Sequence, residues 1–380
     1  MSSRFLRPRS FAVGVLAVAL PAAVAVAAIP GGSALASSAG NKFHQTNLIS
    51  DRGDQGAQVV DPNLQNSWGL AFSPTSPLWV ADNNSGVATL YSINVGGTTA
   101  AKVPLTVTLP GGRASTGDGS SPTGQVFNPT SGFVVTSKAG SGPGLFIFSA
   151  EAGQISAWNP VADPVVAGAS TAQVEFSSRT AVYKGLAIAS TRHGTFLYAS
   201  NFHDGTVDVF NSRFHLVHLR GGFRDRRLPA GYAPFGIQEI RGFIYVTYAL
   251  QNAAKHDDVA GPGHGFIDIY TTNGFLVKRL VSRGDLNSPW GLAEAPDGFG
   301  PFGGMLLVGN FGDGLIHAYG LFSGRPHGAL LDKSRQPIQI DDLWALKFGT
   351  AATGGTGTLL FSAGINDEKD GLVGSINPVP

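Results

Sequence analysis

The residues of this chain best suited to chemistry fall into three groups, each with its own donor set. His256-Asp257-Asp258 and His264 are the densest collection of metal-ligand types, in a Gly-rich stretch that includes Gly261-Pro262-Gly263-His264-Gly265. Imidazole nitrogens and carboxylate oxygens are what a divalent cation takes, but a solvated polar loop has the same make-up. A second group, Asp82, Asn83, Asn201, Asp204, Asn310, Asp313, Asn366 and Asp370, recurs at equivalent places along the chain. Such oxygens could ring a cation; an Asx side chain at a turn also caps its own hairpin, and recurrence is what a folding role predicts. The third group is aromatic. Trp68, Phe235, Trp290 and Trp344 each directly precede Gly or Ala, and Tyr183 stands one place further back in its own segment. Asn66, Asn287 and Asp342 lie close to these rings in sequence. Indole faces flanked by amides and carboxylates can stack on a sugar or another flat ligand; the alternative is that the rings wedge between packed sheets.

No nucleophile-elbow, His-Glu-x-x-His, phosphate-loop or EF-hand pattern occurs, so no residue is assigned as catalytic. The histidines do not recur at equivalent positions. These observations leave an expectation of no cofactor, with a divalent cation on His256, Asp257, Asp258 or His264 as the alternative.

The elements that must position these residues are read from a repeat. Asn66-Ser67-Trp68-Gly69-Leu70 leads to Leu78–Ala81 and then an Asn-rich turn, and Ser288-Pro289-Trp290-Gly291-Leu292 leads to Met305–Gly309 and Gly312-Asp313-Gly314. Taking Gly69, Gly132, Gly185, Gly236, Gly291 and Ala345 as markers gives six units of roughly 50–60 residues, each one propeller blade of four strands with long loops. The second strand of each unit is a short apolar run, which suits burial on both faces. The third alternates, as in Thr206-Val207-Asp208-Val209-Phe210, and is expected nearer the rim with one wetter face. The sixth unit runs out after its third strand, and Phe43–Ile49 reads as a lone strand that can complete it. The expected fold is all-β: a six-bladed β-propeller of four-stranded antiparallel blades, its ring closed by the N-terminal strand, over residues 37–380. Long loops are expected at about 110–124 and 250–265.

Residues 1–36 read as a cleaved signal peptide. Arg4, Arg7 and Arg9 precede an apolar run from Phe11 to Ile29, and Ala34-Leu35-Ala36 is a small-residue cleavage site; an uncleaved anchor is the alternative. Removing those arginines turns the net charge from +1 to −2, and no basic cluster remains for nucleic acid. No other stretch is long enough to span a membrane. The chain has no cysteine, 52 glycines and only 13% charged residues, which excludes disulfides and thiolate chemistry and suits a turn-rich extracellular β protein. A secreted monomer is expected.

With these residues in view, the chain resembles a family of exported bacterial propellers with NHL-like repeats, some members of which carry a PEP-CTERM sorting tail. The resemblance rests on Asp61-Pro62-Asn63-Leu64, Leu286-Asn287-Ser288-Pro289-Trp290-Gly291-Leu292, Leu307-Val308-Gly309-Asn310-Phe311-Gly312-Asp313-Gly314 and Asp370-Gly371-Leu372-Val373-Gly374-Ser375-Ile376. It implies export and the six-bladed fold, and brings no assigned activity. This sequence ends at Pro380 without the sorting motif. Calcium-dependent lactonases have a similar propeller but place Asn, Asp or Glu where Trp68, Lys184, Phe235, Trp290 and Trp344 stand here. The function expected is a secreted, non-catalytic binding or scaffold propeller that contacts a glycan, a cell-wall component or a protein partner. The alternative is a channel-centred, metal-assisted hydrolase, lactonase or lyase.

Overall fold

The computed structural model describes residues 40–111 and 120–379; the expected signal peptide lies outside them. Six sheets follow one another along the chain, and their inner strands touch in cyclic order, the sixth returning to the first. The inner strands are Ser67–Ala71, Pro122–Phe127, Tyr183–Thr191, Tyr232–Ile240, Pro289–Glu294 and Leu343–Phe348. The protein is a six-bladed β-propeller of mainly antiparallel, four-stranded blades. Among the described residues no helix is long and apolar enough to cross a membrane.

Ring closure follows the sequence expectation. Phe43–Ser50 pairs antiparallel with Leu372–Pro378 as the outer strand of the sixth blade. Phe43, Leu48 and Ile49 are at most 1% exposed. The ring of Phe43 packs on Phe299 and Phe302 at 5.0 and 5.9 Å, which ties the N-terminal strand to the fifth blade as well.

Two sequence expectations are corrected. The inner strand of the second blade carries Gly124, not Gly132; Phe133 opens a small insertion whose strands are Val134–Thr136 and Ser141–Pro143. The Gly/Ser/Thr-rich stretch before it masked a strand that has few large apolar residues. The third strands divide: Phe266–Thr271 and Ile316–Gly320 are buried except at their ends, Thr206–Asn211 keeps the expected alternation with Thr206 exposed and Asp208 half-buried, and the fourth strand Leu276–Ser282 is more exposed than any of these. Each blade is sandwiched between two neighbours, so most residues on both faces of its inner three strands are buried. The core accordingly lies between blades. In one such layer Leu70, Leu78, Val80 and Tyr91 of the first blade meet Leu48, Ala345, Leu360 and Val373 of the sixth.

The inner strands share a device that sets the site. In all six blades the ladder to the second strand slips by one residue, at Trp68/Gly69, Thr123/Gly124, Lys184, Phe235/Gly236, Trp290 and Trp344/Ala345. A β-bulge bends its strand and re-aims a side chain. Glycine after the bulge lets neighbouring inner strands meet backbone to backbone: a Cβ on Gly236 would lie 2.1 Å from the carbonyl oxygen of Trp290, and one on Gly291 2.6 Å from that of Trp344. Hydroxyls satisfy polar groups released by the slip. Ser200 Oγ donates to the Phe235 carbonyl at 2.6 Å, and Thr123 Oγ1 donates to that of Tyr183 at 2.8 Å.

Gly236→Ala should therefore cost about 2–3 kcal/mol or more, because the obstacle is a neighbouring backbone that cannot rotate away; a denaturant titration measures it. Deleting residues 43–50 removes three fully buried side chains worth about 1.5–3 kcal/mol each and exposes a strand edge, so that variant should show no cooperative melt by circular dichroism.

Candidate functional site

The six bulges aim Trp68, Thr123, Lys184, Phe235, Trp290 and Trp344 at one end of the central channel. Convergence of large rings on one axis leaves them nothing to stack on but each other. Trp68 and Trp344 lie face to face with centroids 3.3 Å apart, and Phe311 stacks on Trp344 at 4.2 Å. Trp290 meets both indoles edge-on at 6.1 and 5.9 Å, and Phe202 and Phe235 complete the group. Trp68, Phe235 and Trp344 are 1%, 0% and 1% exposed; Trp290 remains partly exposed. The rings thus form a plug across the channel, and ligand stacking on Trp68 or Trp344 is closed off by their mutual contact, by Phe311 on Trp344 and by the near-complete burial of both indoles.

Above the plug sits a lysine. Lys184 Nζ lies 5.3 Å from the Trp68 ring centroid and 5.9 Å from that of Phe202. It is ion-paired with Glu151 of the second blade and, at 3.5 Å, with Asp257 from the long loop of the fourth. Burial works against this ammonium, but Glu151 and Asp257 outweigh it and hold its pKa above the ordinary lysine value. Asn83 donates to Glu151 at 3.0 Å, and His256 Nδ1 lies 2.7 Å from Asp257 Oδ1. Hydrogen bonding to His256, against partial burial and helped by Lys184, keeps Asp257 down at about 2, and the same bond raises His256. Side-chain exposure runs from 3% at Lys184 through 13% at Glu151 to 44% and 59% at His256 and Asp257, so the cluster grades from a buried cation to a solvent-facing rim.

A second carboxylate approaches from the sixth blade. The turn Asn366-Asp367-Glu368 has three consecutive left-handed residues, with φ of 62°, 54° and 60°. Strain of this kind in non-glycine residues collects at ligand sites. Asn66 Nδ2 donates to Glu368 at 3.0 Å while its Oδ1 accepts from the Trp344 indole at 3.1 Å. Burial is the main cause that lifts the Glu368 pKa to about 7, against the pull of Asn66 and Lys184. Together, the mouth offers a fixed ammonium, two carboxylates paired with it, an imidazole and a carboxyl that titrates near neutrality.

The sequence candidates divide accordingly. His256 and Asp257 come together with Glu151, their ligand atoms all within 4.8 Å of one another. His264 stays outside that cluster, its Nδ1 bonded to the Val259 carbonyl at 2.8 Å, and Asp258 turns inward with one oxygen unpartnered. Tyr183 is not at the mouth: it is fully buried between blades, its hydroxyl donating to Asp208 at 2.9 Å, because adjacent strand residues point oppositely and Lys184 takes the channel position. Asn287 is buried as a strut, accepting from Gly261 N at 2.6 Å to pin the long loop. Asp342 sits at the left-handed kink (φ 51°) that precedes its bulge. Asn201 caps its own turn, accepting from Asp204 N at 3.3 Å. Glu151, Lys184 and Glu368 were the residues missed. Lys184 was detectable as the one cation in the aromatic repeat position, and the two glutamates as turn residues at the place of the recurrent Asx groups.

No protein-family profile matches the chain. The uncharacterized protein R648 of Acanthamoeba polyphaga mimivirus is 32% identical over 335 residues, 87% of this chain and 78% of that one. The uncharacterized protein L690 of the same virus is 33% identical over 337 residues, 87% and 84% of the two chains. Among solved structures, virginiamycin B lyase from Staphylococcus aureus aligns at 12% identity over 89% and 99% of the two chains, with TM-score 0.48. A glucose dehydrogenase aligns at 12% identity over 89% and 100%, with TM-score 0.50. A Bacteroides thetaiotaomicron protein of unknown function aligns at 11% over 88% and 77%, with TM-score 0.51. The likeness to these last two is one of fold alone.

Trp344→Ala should cost about 3–5 kcal/mol, as expected for a buried aromatic packed on two rings. Glu368 makes stability pH-dependent. Its folded pKa of about 7 exceeds the ordinary value of 4.5, so its contribution is complete below pH 4.5 and lost as pH rises through 7. Glu368→Gln should therefore melt higher than the parent at pH 8, with the difference vanishing towards pH 4.5 in paired thermal scans.

Proposed function

The chain belongs to the family of the mimivirus proteins R648 and L690, and from the geometry of its mouth we propose that it is an exported, non-catalytic binding propeller whose mouth-side face engages a hydroxyl- and amide-rich ligand, a glycan of the cell envelope foremost. One observation carries this reading: the Lys184 ammonium is anchored on an aromatic floor and satisfied by Glu151 and Asp257, which leaves His256 and Asp257 presented at a rigid rim. A preorganised rim of exposed donors and acceptors suits recognition of hydroxyls with little ordering cost. Export rests on the basic head, apolar run and Ala34-Leu35-Ala36 site of the N-terminal segment, and the repeats are taken as NHL-like.

The competing reading is metal-assisted hydrolysis, lactone opening or elimination at the same place. The observation in its favour is the convergence of Glu151, His256 and Asp257, which could hold a divalent ion with Glu368 near enough to neutrality to move a proton.

Retention on an envelope-glycan array is the test. The double variant His256→Ala/Asp257→Asn should lose at least tenfold in retention while its melting temperature stays within a few degrees; undiminished retention would remove the mouth from the reading. Metal analysis of the purified protein separates the alternatives. A stoichiometric divalent ion that disappears in Asp257→Asn would favour the enzyme.

A further inference from the structure

Below the aromatic plug the channel widens into a cavity of about 230 Å³, on the opposite side of the rings from Lys184. Trp290 borders it, partly exposed, with its indole N–H fixed by the Lys184 carbonyl at 2.9 Å. The walls come from all six inner strands. Each of these strands ends its sheet, so one row of its backbone N–H and C=O groups faces the channel without a sheet partner. Leu70, Leu186, Ile237 and Leu292 supply apolar lining.

One charge on this wall stands apart. The Lys347 ammonium makes no hydrogen bond or ion pair among the described residues and lies over the Phe72 ring, 5.3 Å from its centroid. The two carboxylates that share its rim are engaged elsewhere. Glu294 is paired with Arg241, and Glu239 accepts from Gly242 N at the turn. Burial correspondingly pushes the Lys347 pKa below the ordinary lysine value. Lys184, at the other side of the plug, shows what this fold does with a channel lysine that it neutralises internally: it brings two carboxylates from other blades. An uncompensated ammonium in a confined site is costly, and the cost is recovered when an anion arrives.

We propose that this lower cavity binds a small organic carboxylate with a planar apolar body, the carboxylate on Lys347 and the body against Trp290, Leu70, Leu186, Ile237 and Leu292. A single lysine, with Glu239 and Glu294 on the same rim, suits one negative charge better than the two of a phosphate monoester. The site is separate from the mouth and is reached from the opposite face of the ring, so it does not depend on the glycan reading.

Benzoate is the probe, with benzamide as its neutral counterpart of the same shape and inorganic phosphate as a bare anion, each titrated calorimetrically into the purified protein. Benzoate should bind at least tenfold more tightly than either control, and Lys347→Met should abolish the difference between benzoate and benzamide. Lys347→Met should also melt no lower than the parent, since it removes an uncompensated charge. Should that variant fold poorly, Lys347→Gln is read in its place, and the preference of the parent protein for benzoate over benzamide decides independently. Equal binding of benzoate and benzamide, no binding of benzoate, or unchanged benzoate affinity in the lysine variants would overturn the proposal. Preferential binding of phosphate would overturn the assignment to a carboxylate.

Discussion

The constraint on which this molecule depends is the close approach of six inner strands around one axis. Backbone-to-backbone contact between neighbouring blades leaves little or no room for a side chain at the point of closest approach, where Gly69, Gly124, Gly185, Gly236 and Gly291 stand in five blades and the small Ala345 in the sixth. The bulge beside each of them has two consequences. It releases backbone polar groups, which hydroxyls such as those of Ser200 and Thr123 satisfy, and it turns the preceding side chain towards the axis. The residues at the six bulges therefore decide what closes this end of the channel.

Those six are mostly large aromatics, and that choice divides the channel. Rings that converge on one axis pack on each other and close the passage, so the protein has two separate ends instead of a through-pore. The ends differ in how they treat charge. At the mouth, Lys184 is buried and balanced by carboxylates from the second and fourth blades, which keeps it ionised. Below the plug, Lys347 faces a cavity with no counter-ion among the described residues. The first arrangement builds a stable, graded platform; the second leaves an electrostatic debt that a ligand can settle.

Much of the architecture was legible in the chain because its causes are local or periodic. Trp68-Gly69 and Trp290-Gly291 mark inner strands, apolar runs such as Met305–Gly309 mark fully buried second strands, and the unpaired sixth blade pointed to Phe43–Ile49 as its closing strand. The second blade was misplaced at Gly132 because Thr123-Gly124 lacks the aromatic that marks the other repeats. Of the candidate site, His256 and Asp257 were recognisable by residue type. Glu151 and Glu368 were marked only by their place at the recurrent turn position, since a glutamate at a turn is usually solvated and its partners are set by the folded ring.

The sequence by itself therefore determined the strand pattern, the number of repeats and the glycines that permit close approach, all of which depend on neighbours in the chain. Tertiary structure decided which side of a strand meets the channel, so that Lys184 and not Tyr183 reaches the mouth. It also decided the ionisation of the site. The carboxylates that hold Lys184 charged stand 33 and 73 residues away along the chain, and electrostatic interaction depends on distance in space and on burial, neither of which exists until the ring is closed.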